Sequence, residues 1–139
     1  MTNPALPSHR ITWWSWALLL LGIGGFAALW VMLGLNTDRQ HSWMAVLGAL
    51  DVALMLRLGG WPRGPGRVVA GVLATAAIVA IANWGIAAAQ MGYDLGITPW
   101  DSALRLGSQH ALTLLQLANG VGDALWVALA LVVAAFASR

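Results

Sequence analysis

The sequence predicts an all-α integral membrane protein that crosses the bilayer four times. Of its 139 residues, 60% are hydrophobic and 9% are charged, whereas about 25% of residues are charged in a typical soluble domain. Most of its tryptophans lie near the ends of apolar segments, as they do at membrane interfaces. A helix needs about 20 apolar residues to cross the hydrocarbon region. The segments that meet this length are 13–35, 42–59, 68–92 and 109–136.

A helix-breaking stretch follows each of the first three segments. Polar residues 36–40 end the first, the Pro- and Gly-rich residues 59–66 end the second, and residues 92–96 end the third. These linkers are too short to separate domains, so we expect residues 1–139 to form one domain. Residues 36–40 do not resemble the small-residue cleavage site of a signal peptide, which favours a retained first helix.

A short helix is predicted immediately before the last span. Thr98, Pro99 and Asp101 suit the N-cap, the first and the third positions of a helix. We expect this helix to lie at the membrane surface. The pattern leaves open whether the chain bends near Gly107 or continues straight into the span.

The distribution of arginines predicts the orientation in the membrane. Positively charged residues are more frequent in cytoplasmic loops than in external ones. With four spans, five of the seven arginines fall on the side of the two termini, and only Arg39 and Arg105 fall on the other side. We therefore expect both termini in the cytoplasm of a bacterial cell, with the chain in its inner membrane. The five are Arg10, Arg57, Arg63, Arg67 and Arg139.

Composition also excludes several functions. The chain has no cysteine, which excludes disulfides, thiolate metal sites and thiol catalysis. Its net charge of +2 arises from seven arginines and five aspartates, too few charges to indicate binding to nucleic acid. No serine has a nearby His–Asp pattern, and no other pair of nucleophile and base is evident. We expect no cofactor and do not favour an enzyme.

Two aspartates lie inside predicted spans, Asp51 in the second and Asp123 in the fourth. A carboxylate at the bilayer centre costs about 2.5–3.5 kcal/mol on insertion scales, and it usually faces the protein interior or a water-filled cavity. Both residues are predicted near the midplane. Two close carboxylates in a dry site do not both ionise, so we expect a proton or Na⁺ to bind between them.

Further polar side chains extend from this midplane pair toward the outer surface. They recur at three- and four-residue spacing on the third and fourth predicted helices, so each set shares a helical face. The sequence therefore predicts a polar cavity or half-channel that ends at the two carboxylates. The residues expected to line it are Asn83, Gln90, Arg105, Gln116 and Asn119.

Other interpretations of the polar residues remain open. In one of them each Asp is protonated and only fixes helix packing through hydrogen bonds. In the other the polar residues face another subunit. His41 and His110, near the outer ends of their helices, are a weaker metal or haem alternative, because such sites need more ligands than the pattern offers.

The expected function is transport or ion or proton coupling, either by this chain alone or as the membrane subunit of such a system. The alternative is a non-catalytic subunit that assembles or anchors a larger membrane complex. The expected partners are the lipid bilayer and either further copies of the chain or other membrane subunits. The small residues of the first and third helices suit tight packing within one bundle or between copies.

Overall fold

The computed structural model describes residues 10–39, 41–105, 107, 109, 112–113, 116 and 120–139. Within these residues the chain is entirely helical, which confirms the predicted all-α class, and it contains no strand. Five helices have defined bounds. They are α1 (Trp13–Thr37), α2 (Met44–Leu58), α3 (Pro65–Leu95), α4 (Pro99–Arg105) and α5 (Val121–Ala137).

Two of these helices, α1 and α3, are long and apolar enough to cross a membrane. Core helices of soluble proteins and signal sequences pass the same test. The helices α2 and α5 have 15 and 17 residues, which correspond to about 22 and 25 Å at 1.5 Å per residue.

The four longer helices form a bundle with α2 and α3 at its centre. These two helices pack against each other, and each of them contacts both α1 and α5. As a result α1 and α5 lie on opposite sides of the α2–α3 pair, while α4 packs on α3. The largest side chains of the core are completely or almost completely buried, and they include Trp30, Val52, Leu56 and Ile78.

Glycines allow α1 to approach its neighbours closely. A Cβ atom added to Gly22 would lie 2.7 Å from Met55 Cγ of α2, and one added to Gly85 of α3 would lie 2.8 Å from Val31 Cγ2. Both distances are shorter than a van der Waals contact, so no larger residue fits without movement of its neighbour. At these positions the small residues serve packing within the bundle.

Ser15 joins the start of α1 to the end of α2. Its hydroxyl donates a hydrogen bond to the Gly59 carbonyl oxygen at 2.5 Å, and Trp61 Nε1 donates to the Ser15 carbonyl oxygen at 3.5 Å. Ser15 is 1% exposed. This contact fixes the antiparallel register of α1 and α2.

Two arginines bind the last turn of α5. Arg57 Nη2 donates to the Ala137 carbonyl oxygen at 3.1 Å, while the buried guanidinium of Arg67 donates to the carbonyl oxygens of Ser138 and Arg139. Cations stabilise a helix C-terminus because its carbonyl groups carry partial negative charge. The starts of α1 and α3 and the ends of α2 and α5 therefore meet at one end of the bundle, here called the arginine end.

The opposite end of the bundle carries α4. Thr98 Oγ1 accepts a hydrogen bond from the Asp101 N–H at 3.3 Å and donates to Asp101 Oδ2 at 2.7 Å. The helix begins at Pro99, so the predicted cap and short helix are both present. Gly96 ends α3 in the left-handed conformation, with φ 64°, which glycine adopts without strain.

The last predicted span, 109–136, is not one helix. Residues 109, 112, 113 and 116 are helical, but Gly120 has an extended ψ of 174° and α5 begins at Val121. Asp123 Oδ2 accepts a hydrogen bond from the Gly120 N–H at 2.9 Å. Glycine is a weak helix former, and the carboxylate satisfies an amide at the new helix start, so the chain breaks there.

Candidate functional site

Asp51 lies near the middle of α2, on the face that packs against α1. Its Oδ2 is 3.3 Å from the position that a Cβ atom on Gly22 would occupy, so the absence of a side chain at Gly22 makes room for the carboxylate. A groove of about 200 Å³ surrounds this contact. Its lining consists of Leu21, Gly22, Gly25, Phe26, Leu29, Asp51 and Met55.

The groove opens on the outer surface of the bundle and not on its interior. Leu21 and Leu29 at its edges are 69% and 61% exposed, and every residue of the lining except Asp51 is apolar. Asp51 itself is half-buried. Among the residues that the structure describes, it has no hydrogen-bond or ion-pair partner. An unpaired carboxylate thus faces apolar side chains at a surface.

Asp123 lies in a different place, in the first turn of α5. Ser42 Oγ donates a hydrogen bond to its Oδ1, and the Gly120 N–H donates to its Oδ2. Ser42 lies two residues before the start of α2, whereas Asp51 lies seven residues beyond Met44, about 10 Å further along the helix. The structure therefore does not bring the two carboxylates together, because Asp123 lies beside Ser42 at the start of α5, whereas Asp51 lies near the middle of α2.

The other predicted lining residues do not converge on Asp51. Asn83 is 8% exposed within the bundle and donates a hydrogen bond to the Val79 carbonyl oxygen at 2.8 Å. Gln90, Arg105 and Gln116 are exposed. Asn119 lies outside the described residues. The described members of this set share no cavity with Asp51.

No family model, curated protein or solved structure matches this chain. The candidate site is therefore argued from geometry alone. It consists of Asp51 and its groove, and the sequence predicted only the first of these. The sequence marked Asp51 by its charge within an apolar helix. It did not mark Gly22, because a glycine at a helix contact looks like any other small residue until the register of α1 and α2 is known.

The histidine alternative is only partly covered by the structure. Thr37 Oγ1 is 2.7 Å from His41 Nε2, and Trp43 Nε1 donates to His41 Nδ1 at 3.4 Å. Both ring nitrogens of His41 are thus engaged within the chain. His110 lies outside the described residues, and the described part of the chain contains no group of three or more His, Asp or Glu side chains suited to hold a metal ion.

Proposed function

We propose that this chain is a membrane subunit of an ion- or proton-coupled transport system. It lies in a bacterial inner membrane, crosses it four times and keeps both termini in the cytoplasm. One observation carries the proposal, namely that the Asp51 carboxylate has no partner among the described residues and lies in an apolar groove on the outer surface of the bundle. A carboxylate at this position in a bilayer is stable only when something neutralises or covers it.

A proton or a cation is the neutralising ligand in this proposal. While the groove faces lipid, Asp51 is protonated or carries a bound cation. Exchange of that ligand requires water or a polar group, which a neighbouring subunit supplies when its helix covers the groove. The contact between Gly22 and Asp51 leaves the carboxylate close to the α1 backbone, so access comes from the groove and not from the bundle interior.

Chemical labelling tests this assignment. Dicyclohexylcarbodiimide partitions into lipid and adds to a protonated carboxyl group to give an N-acylurea. In lipid nanodiscs we expect one adduct per chain, located on Asp51 by mass spectrometry. The adduct should decrease as the pH rises, because only the protonated acid reacts, and it should disappear in Asp51→Asn. If Na⁺ is the ligand, added NaCl should protect Asp51 and an equal concentration of choline chloride should not.

Asp101 provides the matched control carboxylate. It is exposed and hydrogen-bonded to Thr98, so it should remain unlabelled under the same conditions. Failure of Asp51 to react at any pH, or equal labelling of Asp51 and Asp101, would contradict an accessible protonated carboxyl group in lipid.

A non-catalytic assembly or anchoring subunit is the second candidate function. It is favoured by Gly24 and Gly25 of α1, where an added Cβ atom would have no atom within 4 Å. Packing within the chain does not explain these glycines, and small residues let helices of different chains approach in lipid. For this function Gly24→Leu should release a second copy or another subunit in native mass spectrometry. The transport proposal instead expects Asp51→Asn to retain assembly and to lose coupling.

A further inference from the structure

A second cavity lies far from Asp51, at the end of the bundle that carries α4. It has a volume of about 580 Å³ and opens between α1, α3 and α4. The described residues that line it are all apolar, and they include two tryptophans, Trp84 and Trp100. The cap formed by Thr98 and Asp101 holds the start of α4, and with it the wall formed by Pro99 and Trp100.

A polar cavity of about 740 Å³ adjoins the apolar one, and the two share the walls formed by Leu35, Ala89 and Pro99. Asp38 and Asp94 contribute two carboxylates to the polar cavity, and none of the described residues that line it is basic. Within the described part of the chain neither carboxylate has a hydrogen-bond or ion-pair partner. The carboxylates and the apolar surface therefore lie in two adjoining cavities that share a wall.

We propose that these two cavities together bind a hydrophobic organic cation. The apolar body of the ligand occupies the tryptophan-lined cavity, and its cationic group lies beside Asp38 and Asp94. Each volume is within the range typical of sites for small molecules, about 300–1,000 Å³. The rings of Trp84 and Trp100 add a large apolar surface to the cavity that takes the body of the ligand.

The charges distinguish this ligand from an anionic phospholipid. A lipid acyl chain would fill the apolar cavity equally well, but the phosphate of an anionic lipid would then lie beside two carboxylates and be repelled by them. A cation is instead attracted, with a strength that decreases as salt screens the exposed charges. Since this site shares no residue with the groove at Asp51, its test is independent of the proposed function.

Two ions of the same shape and opposite charge provide the test. Tetraphenylphosphonium and tetraphenylborate are titrated by equilibrium dialysis against the protein in nanodiscs, with empty nanodiscs as the background. We expect saturable binding of about one phosphonium per chain, and none of the borate. The double variant Asp38→Asn with Asp94→Asn should weaken phosphonium binding about tenfold, the effect of removing two exposed charges.

A pair of alanines on α3 tests the location. Ala80 lines the apolar cavity, whereas Ala76, one turn earlier and also exposed, does not. Ala80→Trp should fill the cavity and abolish binding, and Ala76→Trp should retain it. Circular dichroism and gel filtration will show whether each variant is folded.

The proposal is overturned if the wild type binds no phosphonium saturably, if both ions bind alike, or if the double aspartate variant binds normally, since the cavities would then hold only lipid.

Discussion

At the scale of single residues, Gly71 and Arg67 of α3 decide how closely the end of α5 packs. A Cβ atom on Gly71 would collide with Ser138 Oγ and would lie 2.8 Å from Ser138 Cβ. Arg67, 6% exposed, donates hydrogen bonds to the carbonyl oxygens of Ser138 and Arg139. The sequence assigned Arg67 to the cytoplasmic side on charge alone, and its binding to a helix end follows from tertiary packing.

Gly71→Ala should therefore lower the free energy of unfolding by about 1–3 kcal/mol, the usual cost of overpacking a close contact. The matched control is Gly24→Ala, where nothing lies within 4 Å of the added atom and the change should be neutral or stabilising by up to about 1 kcal/mol. Titration with a denaturing detergent, followed by circular dichroism, measures both.

A second substitution separates the clash from other effects of the new methyl group. In a Ser138→Gly background the side-chain atoms that meet the new Cβ are absent. Gly71→Ala should therefore lower the free energy of unfolding much less in that background than in the wild type. An equal loss in both backgrounds would contradict the close contact between α3 and the end of α5.

At the scale of whole helices, the sequence predicted some elements well and one poorly. Apolar length located α1 and α3, and the Thr98–Asp101 pattern located the start of α4. The prediction of the last span as one helix was wrong because apolar length gives no sign of the break at Gly120. There the Gly120 amide bonds to Asp123 and not to a helical carbonyl. Asp123 belongs to a capping arrangement, and its predicted role as an ion ligand is a separate question.

Substitution of Asp123 answers that question. Its capping role requires acceptor oxygens for Ser42 and the Gly120 amide, and Asn supplies one of these while Ala supplies none. Asp123→Ala should lower the free energy of unfolding by about 1–2 kcal/mol, and Asp123→Asn by clearly less, in the same detergent titration.

An ion-binding role predicts a different ranking. Asn carries no charge, so both substitutions would then abolish ion-dependent activity to the same extent, whatever their effects on stability. Equal loss of stability in the two variants would contradict the capping assignment.

At the scale of the whole molecule, the structure gathers the starts of α1 and α3 and the ends of α2 and α5 at the arginine end. Contacts of Ser15 with Gly59 and of Arg67 with Ser138 define this end. The sequence predicted the same grouping from the number of spans, but it also predicted that Asp51 and Asp123 form a pair, and the structure keeps them apart. The relative position of side chains on different helices depends on the register between those helices. That register depends on contacts such as Ser15–Gly59, which no pattern along the chain encodes.

Membrane orientation is testable because the chain contains no cysteine. Single cysteines introduced as Arg63→Cys and Arg39→Cys report on the loops at the two ends of the bundle. In intact spheroplasts a membrane-impermeant maleimide should label Arg39→Cys alone, and Arg63→Cys should react only after permeabilisation. Labelling of both variants in intact spheroplasts would contradict four crossings with cytoplasmic termini.

The unequal lengths of the helices have a consequence for the proposed four-span arrangement. The hydrocarbon core of a bilayer is about 30 Å thick, whereas α2 and α5 measure about 22 and 25 Å and α3 about 46 Å at 1.5 Å per residue. Hydrophobic mismatch of this kind is relieved by thinning the bilayer beside the short helices and by tilting the long ones. If all four helices cross the membrane as proposed, the bilayer next to α2 and α5 should be locally thin, and short-chain lipids should gather there.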